Sequence, residues 1–371
     1  MSSAPTDTEK VTPVKEVEIA VKASWRRYLP WAAVLAGIAL LFLLWQPLIN
    51  WITSQSWNVW LGALAQGLGF GAVAIGVYLT FRVLDFPDLT IDASFPLGAA
   101  VAAAFIIGGG NPTLSLFLAF VAGALAGVAT GLIHTRLHIN GLLASILVLT
   151  GTFTITLRIM GQANIPLLNA ATIFVPIKPF FRDLFVERWG QEWVRVHNNV
   201  MAIIVFLVII AALKFLIDWF LHTEQGLALR ATGDNPQMIQ ALGVNTGRMK
   251  IVGLAISNGL IGISGALMAQ YQGFADVNSG AGLIIAGLAA VIIGETLFGS
   301  SPLTRATTAV ILGMIIYRTA IAVALTINFP LPSGVTFRLE ATDIKLATAL
   351  LVLVALALPH VRRRLKGQGT A

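Results

Sequence analysis

An all-α, polytopic membrane bundle of about ten transmembrane helices is the fold class this sequence predicts. Four features point there. Of the 371 residues, 57% are hydrophobic and 11% charged, whereas soluble domains carry about 25% charged residues. The mean hydropathy is +0.83. Apolar runs long enough to cross a bilayer recur along the chain, at ~20 residues per ~30 Å of hydrocarbon. Lysine and arginine gather at alternate ends of those runs, as cationic loops on one side of a membrane do.

The runs place spans at 30–49, 59–82, 94–109, 112–133, 141–158, 200–220, 249–268, 281–298, 303–327 and 342–359. Lys22, Arg26 and Arg27 precede the first, and Arg362, Arg363, Arg364 and Lys366 follow the last. Both ends are therefore expected in the cytoplasm, which requires an even number of spans. Arg82, Arg136, Arg305 and the loop 222–248 then fall on the same side. The domain organisation is a polar tail (1–28), a transmembrane domain (29–360) and a basic tail (361–371). The run Leu29–Ile49 exceeds a signal-peptide core and lacks a small-x-small cleavage pattern, so it reads as a retained span.

The loop 176–199 lands outside yet carries Lys178, Arg182, Arg188 and Arg195, offset by Asp183, Glu187 and Glu192. Phe181, Leu184, Phe185, Trp189 and Trp193 recur at helical spacing. This segment reads as an amphipathic helix on the outer membrane surface, with partner docking as the alternative. The net charge of +7 sits in such loops and suits an anionic leaflet. A nucleic-acid interface would need a basic patch on a soluble fold, and none is present. With no cysteine, disulfides and thiolate metal sites are excluded.

Few residues could carry chemistry. No Walker A, HExxH or GxSxG pattern occurs, so any ATP-driven work must come from another subunit. His134 and His138 share a helical face but flank Arg136 at a span end, where a headgroup-facing cluster explains them better than a metal pair. Gly67-x-x-x-Gly71, Gly123-x-x-x-Gly127 and Gly127-x-x-x-Gly131 permit close helix packing and name no substrate.

The stretch Asp85–Pro96 places three carboxylates and two prolines between the second and third spans. It reads either as a cytoplasmic turn capped by Asp92 or Ser94, or as a broken helix along a translocation path. The number of carboxylates favours the path, making Asp88, Thr90, Asp92 and Ser94 candidates. Arg158 and Arg318 fall in the outer third of apolar spans. They either snorkel outward or line a vestibule that draws a carboxylate-bearing substrate. Glu295 lies at the inner part of the eighth span, placed to pair with a neighbouring helix or to gate an exit. Ser301-Pro302 reads as N-cap and first residue of the ninth span. Residues 91–112 weakly parallel 276–302 with opposite expected direction, the pattern of an inverted repeat.

The longest polar passage between apolar blocks is Gly226–Gly243. Gly226–Arg230 reads as a short helix and Gly233–Pro236 as a turn, with Asn235 as N-cap and Pro236 at N1. Gln237–Leu242 forms a second short helix closed by Gly243. It would present Met238, Ile239 and Leu242 to a partner's groove, or rest on lipid.

GLALRATGDNPQMIQALG and the span after it resemble the cytoplasmic loop of ABC importer permeases of the branched-chain amino acid and ribose permease family. Arg230, Ala231, Gly233, Asn235, Ala241 and Gly243 meet its pattern. PDLTIDASFPLGAA and VIIGETLFG followed by SSP resemble two further blocks, closest to a tryptophan/tyrosine-type branch. The resemblance spans about 60–358. It implies ten-helix subunits pairing as a homodimer or pseudo-homodimer, two ATP-binding subunits that hold ATP and Mg, and a periplasmic or lipid-anchored substrate-binding protein. It makes 233–243 the coupling helix, with Arg230, Gly233, Asn235, Gln237, Met238, Leu242 and Gly243 as ATPase-coupling residues. The expected role is the permease subunit of an ATP-driven importer of amino acids or related small carboxylates, in a bacterial inner membrane. It is not itself an enzyme and needs no cofactor of its own. An ion-coupled secondary transporter would need intramembrane ion sites, for which Asp92 and Glu295 are isolated candidates. A membrane enzyme would need a polar cluster in a pocket, which the sequence lacks.

Overall fold

The computed structural model of the protein describes residues 57–189, 194–326, 328–330 and 336–338. The helices in order are α1 (Trp57–Gly69), α2 (Gly71–Val77, continued by a π-helical turn Tyr78–Val83), α3 (Ile91–Ile107), α4 (Pro112–Arg136), α5 (Gly141–Met160), α6 (Lys178–Trp189), α7 (Val194–His222), α8 (Glu224–Asp234), α9 (Pro236–Ala241), α10 (Thr246–Gln272), α11 (Leu283–Phe298) and α12 (Leu303–Thr326). Six helical stretches are long and apolar enough to cross a membrane, and α3 and α11 are shorter apolar helices. Each of the eight expected spans between residues 59 and 327 has its helix. The expected spans 30–49 and 342–359, and the tails 1–28 and 361–371, lie outside the described residues.

Helix α10 is the central column. Its residues are buried almost continuously from Gly253 to Gln270. Helix α4 packs antiparallel along it because glycine removes the side chains that would keep the backbones apart. A Cβ on Gly123 or Gly127 would meet the carbonyl oxygen of Asn258 or Leu254 at 2.2 Å. On another face of α10, Gly98 of α3 lies against Gly262, where a Cβ would be 2.2 Å from its oxygen. Gly67 and Gly71 serve different neighbours, Ile315 of α12 and Ile210 of α7. The small-residue motifs are thus helix contacts.

Helices α3 and α11 do not run the depth of the bundle. Ser94, in the first turn of α3, bonds Asn258 near the middle of α10. From there α3 runs beside α10 toward the side opposite the α8–α9 loop. Helix α11 starts at the same depth, since Asp92 of α3 bonds its first amides, and runs toward the loop side. Two short helices therefore diverge from N-termini that meet inside the bundle. The weakly repeated segments 91–112 and 276–302 each contain one of them, oppositely directed, followed by an X-Pro start of a long helix. Strands β1 (Asn164–Pro166) and β2 (Phe274–Asp276) pair antiparallel beyond the far end of α10. Strands β3 (Asn328–Pro330) and β4 (Thr336–Arg338) also pair antiparallel.

Two local expectations are corrected. Pro302 is not at N1: α12 begins at Leu303, and the Pro302 carbonyl accepts from Arg305 and Ala306. Pro302 thus occupies the capping position. Of the segment 176–199, expected as one amphipathic helix, Lys178–Trp189 forms α6, with Phe181 buried and Phe180 exposed. The next helix begins already at Val194, and Trp193 lies outside the described residues.

Candidate functional site

The polar loop forms two helices joined at a sharp corner. Thr223 caps α8, its hydroxyl accepting from the Gly226 amide at 3.3 Å. Asn235 caps α9, its side chain accepting from the Met238 amide at 3.0 Å, with Pro236 in the first turn. Gly243 has φ +90°, a left-handed conformation that glycine adopts without strain. Both ends of α9 are therefore fixed by local chemistry. Gln237, Met238 and Leu242 are exposed, with Met238 60% and Leu242 69% accessible. Arg230 is half-buried on α8.

Gly233 is a helical residue of α8 and not part of the turn, which begins at Asn235. Its role is close approach: a Cβ would lie 2.0 Å from the Val83 carbonyl oxygen, at the end of the π-helical turn. Leu229 is fully buried and reaches Gly253 on α10, as does Leu84. The loop is thus seated on the end of α2. Arg82, one residue before Val83, pairs with Glu295 near the end of α11 at 3.1 Å. Glu295 therefore has the neighbouring-helix partner that was one of its two readings. The pair is half-open, with the Arg82 side chain 58% accessible, so its contribution to stability is about 0–1 kcal/mol. Mechanically it joins the loop's seat to the short helix α11.

The four candidates on 88–94 divide into two environments. Asp88, Thr90 and Ser94 are fully buried. Asp88 accepts from the Thr90 amide at 2.9 Å and from the Asn258 side-chain amide at 2.7 Å. Ser94 donates to Asn258 Oδ1 at 2.6 Å, and the Thr90 and Thr130 hydroxyls bond at 2.6 Å. Burial pushes the Asp88 carboxyl above the usual range, and its bonds from Asn258 and Thr90 oppose that. This network ties the connection before α3 to α4 and α10. Asp92 is half-buried and faces elsewhere. It accepts from the amides of Gly282 at 3.1 Å and Ile284 at 2.9 Å, a carboxylate set on the positive end of α11. Gly280 packs against the Asp92 carbonyl. Replacing Asp92 with alanine is expected to destabilise the fold by about 1–2 kcal/mol, and Asp92→Asn by less, read as the thermal midpoint in detergent.

The two outer arginines differ. Arg158 is exposed at the end of α5, on the same face as exposed Thr150 and Thr154. Arg318 is drawn into the bundle, its guanidinium 3.6 Å from the centroid of the Phe70 ring. Phe70 stacks in turn on Phe95 of α3, centroids 5.3 Å apart and planes 9° from parallel.

His134 and His138 do not come together as metal ligands. The His134 ring bonds the Ile139 carbonyl at 2.8 Å and Lys250 Nζ at 3.2 Å. A donor at Nδ1 and an acceptor at Nε2 satisfy both. Among the described residues no group of three metal-ligating side chains occurs. Sequence reasoning missed Asn258, the hub of the buried network, and Asp218, which is bonded by Thr307 and Lys214. A lone amide or carboxylate within an apolar span was the available signal.

No solved structure matches the chain at a significant level. A tyrosine transport system permease protein of Clostridioides difficile is 38% identical over 306 residues, 82% of this chain and 93% of that one. A probable branched-chain amino acid transport permease protein of Methanocaldococcus jannaschii is 27% identical over 225 residues, 60% of this chain and 69% of that one. A guanosine ABC transporter permease protein of Bacillus subtilis is 28% identical over 171 residues, 44% and 50% of the two chains. The model of the family described as branched-chain amino acid transport system permease component matches residues 59–357. Capped polar loop, long apolar helices and family model agree: this multi-pass membrane protein belongs to the branched-chain amino acid transport system permease component family.

Proposed function

We propose that this chain is the permease subunit of an ATP-driven importer of an amino acid, with aromatic amino acids the leading class. The observation that carries the ATP coupling is α9: a short helix pinned by Asn235 and Gly243 that holds Met238 and Leu242 in the open. Exposed apolar side chains on a rigid helix suit a groove in a soluble partner. The partner is an ATP-binding subunit, which holds ATP and Mg. The α8–α9 side of the bundle is then cytoplasmic, as are both termini, and the β1–β2 side faces out in a bacterial inner membrane. There a periplasmic or lipid-anchored binding protein delivers the solute, and a second copy of the chain completes the pore. The substrate class rests on the tyrosine-transport relative that matches over most of both chains. The chain itself performs no covalent chemistry and binds no nucleic acid. Gly233 and Arg82–Glu295 would pass motion of the loop to α2 and α11.

Gentle solubilisation of native membranes and purification of the tagged chain tests this reading. A P-loop ATPase is expected to co-purify, together with a solute-binding protein. Uptake in cells that persists after ATP depletion and stops when the proton gradient collapses would contradict it.

A further inference from the structure

Arg318 is the most anomalous side chain among the described residues. It lies eight residues before the end of α12 (Leu303–Thr326), inside an apolar helix on the β1–β2 side of the bundle. Its Nε is buried and has no hydrogen-bond partner. The described ion pairs are Arg82–Glu295 and Lys214–Asp218, and neither involves it. Buried N–H donors are nearly always paired, so an orphaned one asks for a reason. A buried charge that stays unpaired is costlier still.

The Phe70 ring offsets part of that cost. A guanidinium 3.6 Å above the ring centroid is held through its face. Its N–H groups lie in its own plane, so the ring leaves the donor edge uncommitted. Phe70 and Phe95 are both almost fully buried, and their stack fixes the ring that holds the cation. Phe95 is one turn beyond Asp92, which caps α11. The guanidinium is therefore braced, through two rings, against the junction where the short helices meet. A planar fork of donors presented in this way is complementary to a carboxylate, which can accept two parallel N–H bonds.

We infer that Arg318 is the point at which the permease receives the carboxylate of the passing solute, with Phe70 as the positioning residue that holds the guanidinium edge-on to it. This deepens the importer reading and rests on it. Arg158, exposed at the end of its helix, does not share this arrangement.

The test uses the assembled transporter in liposomes, with solute-loaded binding protein varied from well below its KM to saturation. Initial uptake of labelled tyrosine, tryptophan, leucine and guanosine is measured for wild type, Arg318→Met, Arg318→Lys and Phe70→Leu. Arg318→Met removes the unpaired charge and keeps an apolar side chain, so its thermal midpoint is expected to equal or exceed the wild type's. Its amino acid uptake is expected to fall by about tenfold or more, the loss of one charge-assisted fork. Arg318→Lys keeps the charge without the fork and is expected to fall between. Phe70→Leu, with Arg318 intact, is expected to raise the KM for loaded binding protein more than it lowers kcat. Amino acid uptake by Arg318→Met or by Arg318→Lys within about twofold of wild type overturns the inference while leaving the importer reading intact. ATP-driven wild-type uptake of guanosine and of none of the amino acids overturns the inference together with the proposed substrate class.

Discussion

Asn258→Leu is expected to lower the thermal midpoint of the detergent-solubilised protein more than any other single substitution considered for this chain. Asn258 donates to the fully buried Asp88 carboxylate and accepts from the fully buried Ser94 hydroxyl. Leucine is similar in size but can do neither. Asp88 would keep its bond from the Thr90 amide alone among those shown, and Ser94 would lose its acceptor. Leaving two buried polar groups short of a partner costs about 1–3 kcal/mol each. On a helical domain of this size that is a shift on the order of 10 °C. Thr130→Val, which removes one hydroxyl of the Thr90–Thr130 pair, is expected to cost about 1 kcal/mol. Thermal unfolding of the three proteins side by side checks the ordering. Equal midpoints for Asn258→Leu and wild type would mean that the network is incidental to the packing of α3, α4 and α10.

The second large effect concerns partner engagement without loss of fold. Met238→Asp with Leu242→Asp places two carboxylates on the exposed face of α9 and touches no buried residue. Stability is expected to change by less than about 0.5 kcal/mol, as for surface substitutions elsewhere. Co-purification of the ATPase and ATP-dependent uptake are both expected to disappear, because charges seated in an apolar groove lack partners. Gly233→Val acts by another route. Its Cβ would collide with the Val83 backbone, so α8 must leave its seat on α2. This variant is expected to retain less ATPase and also to unfold earlier. A double-aspartate variant that still carries the ATPase at wild-type yield would remove α9 from the interface.

The contrast between these sites reflects what a sequence can disclose. The spans expected between residues 59 and 327 were legible because length and apolarity are local properties. The corner at Asn235-Pro236 was legible for the same reason: the cap, the fixed proline φ and the closing glycine all act within a few residues. Long-range partners were not. Asp92 caps a helix that begins 190 residues later, so it read as a cap for its own helix or as a path residue. Glu295 and Arg82 are 213 positions apart, and no spacing rule joins them. Gly233 looked like a turn glycine beside Asp-Asn-Pro, whereas its function is to clear the Val83 backbone. Arg158 and Arg318 occupy similar places in apolar spans, and only the folded structure leaves the first exposed and sets the second over the Phe70 ring. Helices α3 and α11 read as ordinary short spans. That their N-termini meet within the bundle depends on the Asp92 contacts, which tertiary structure alone provides.

The most direct test of the central claim is solute uptake by purified permease, reconstituted with its co-purifying ATPase and binding protein, in liposomes with no ion gradient. Labelled tyrosine is added outside with the binding protein, and ATP is enclosed with Mg. The account predicts accumulation that requires hydrolysable ATP and that is lost with Met238→Asp and Leu242→Asp. Accumulation driven equally well by an imposed proton or sodium gradient without ATP would contradict it.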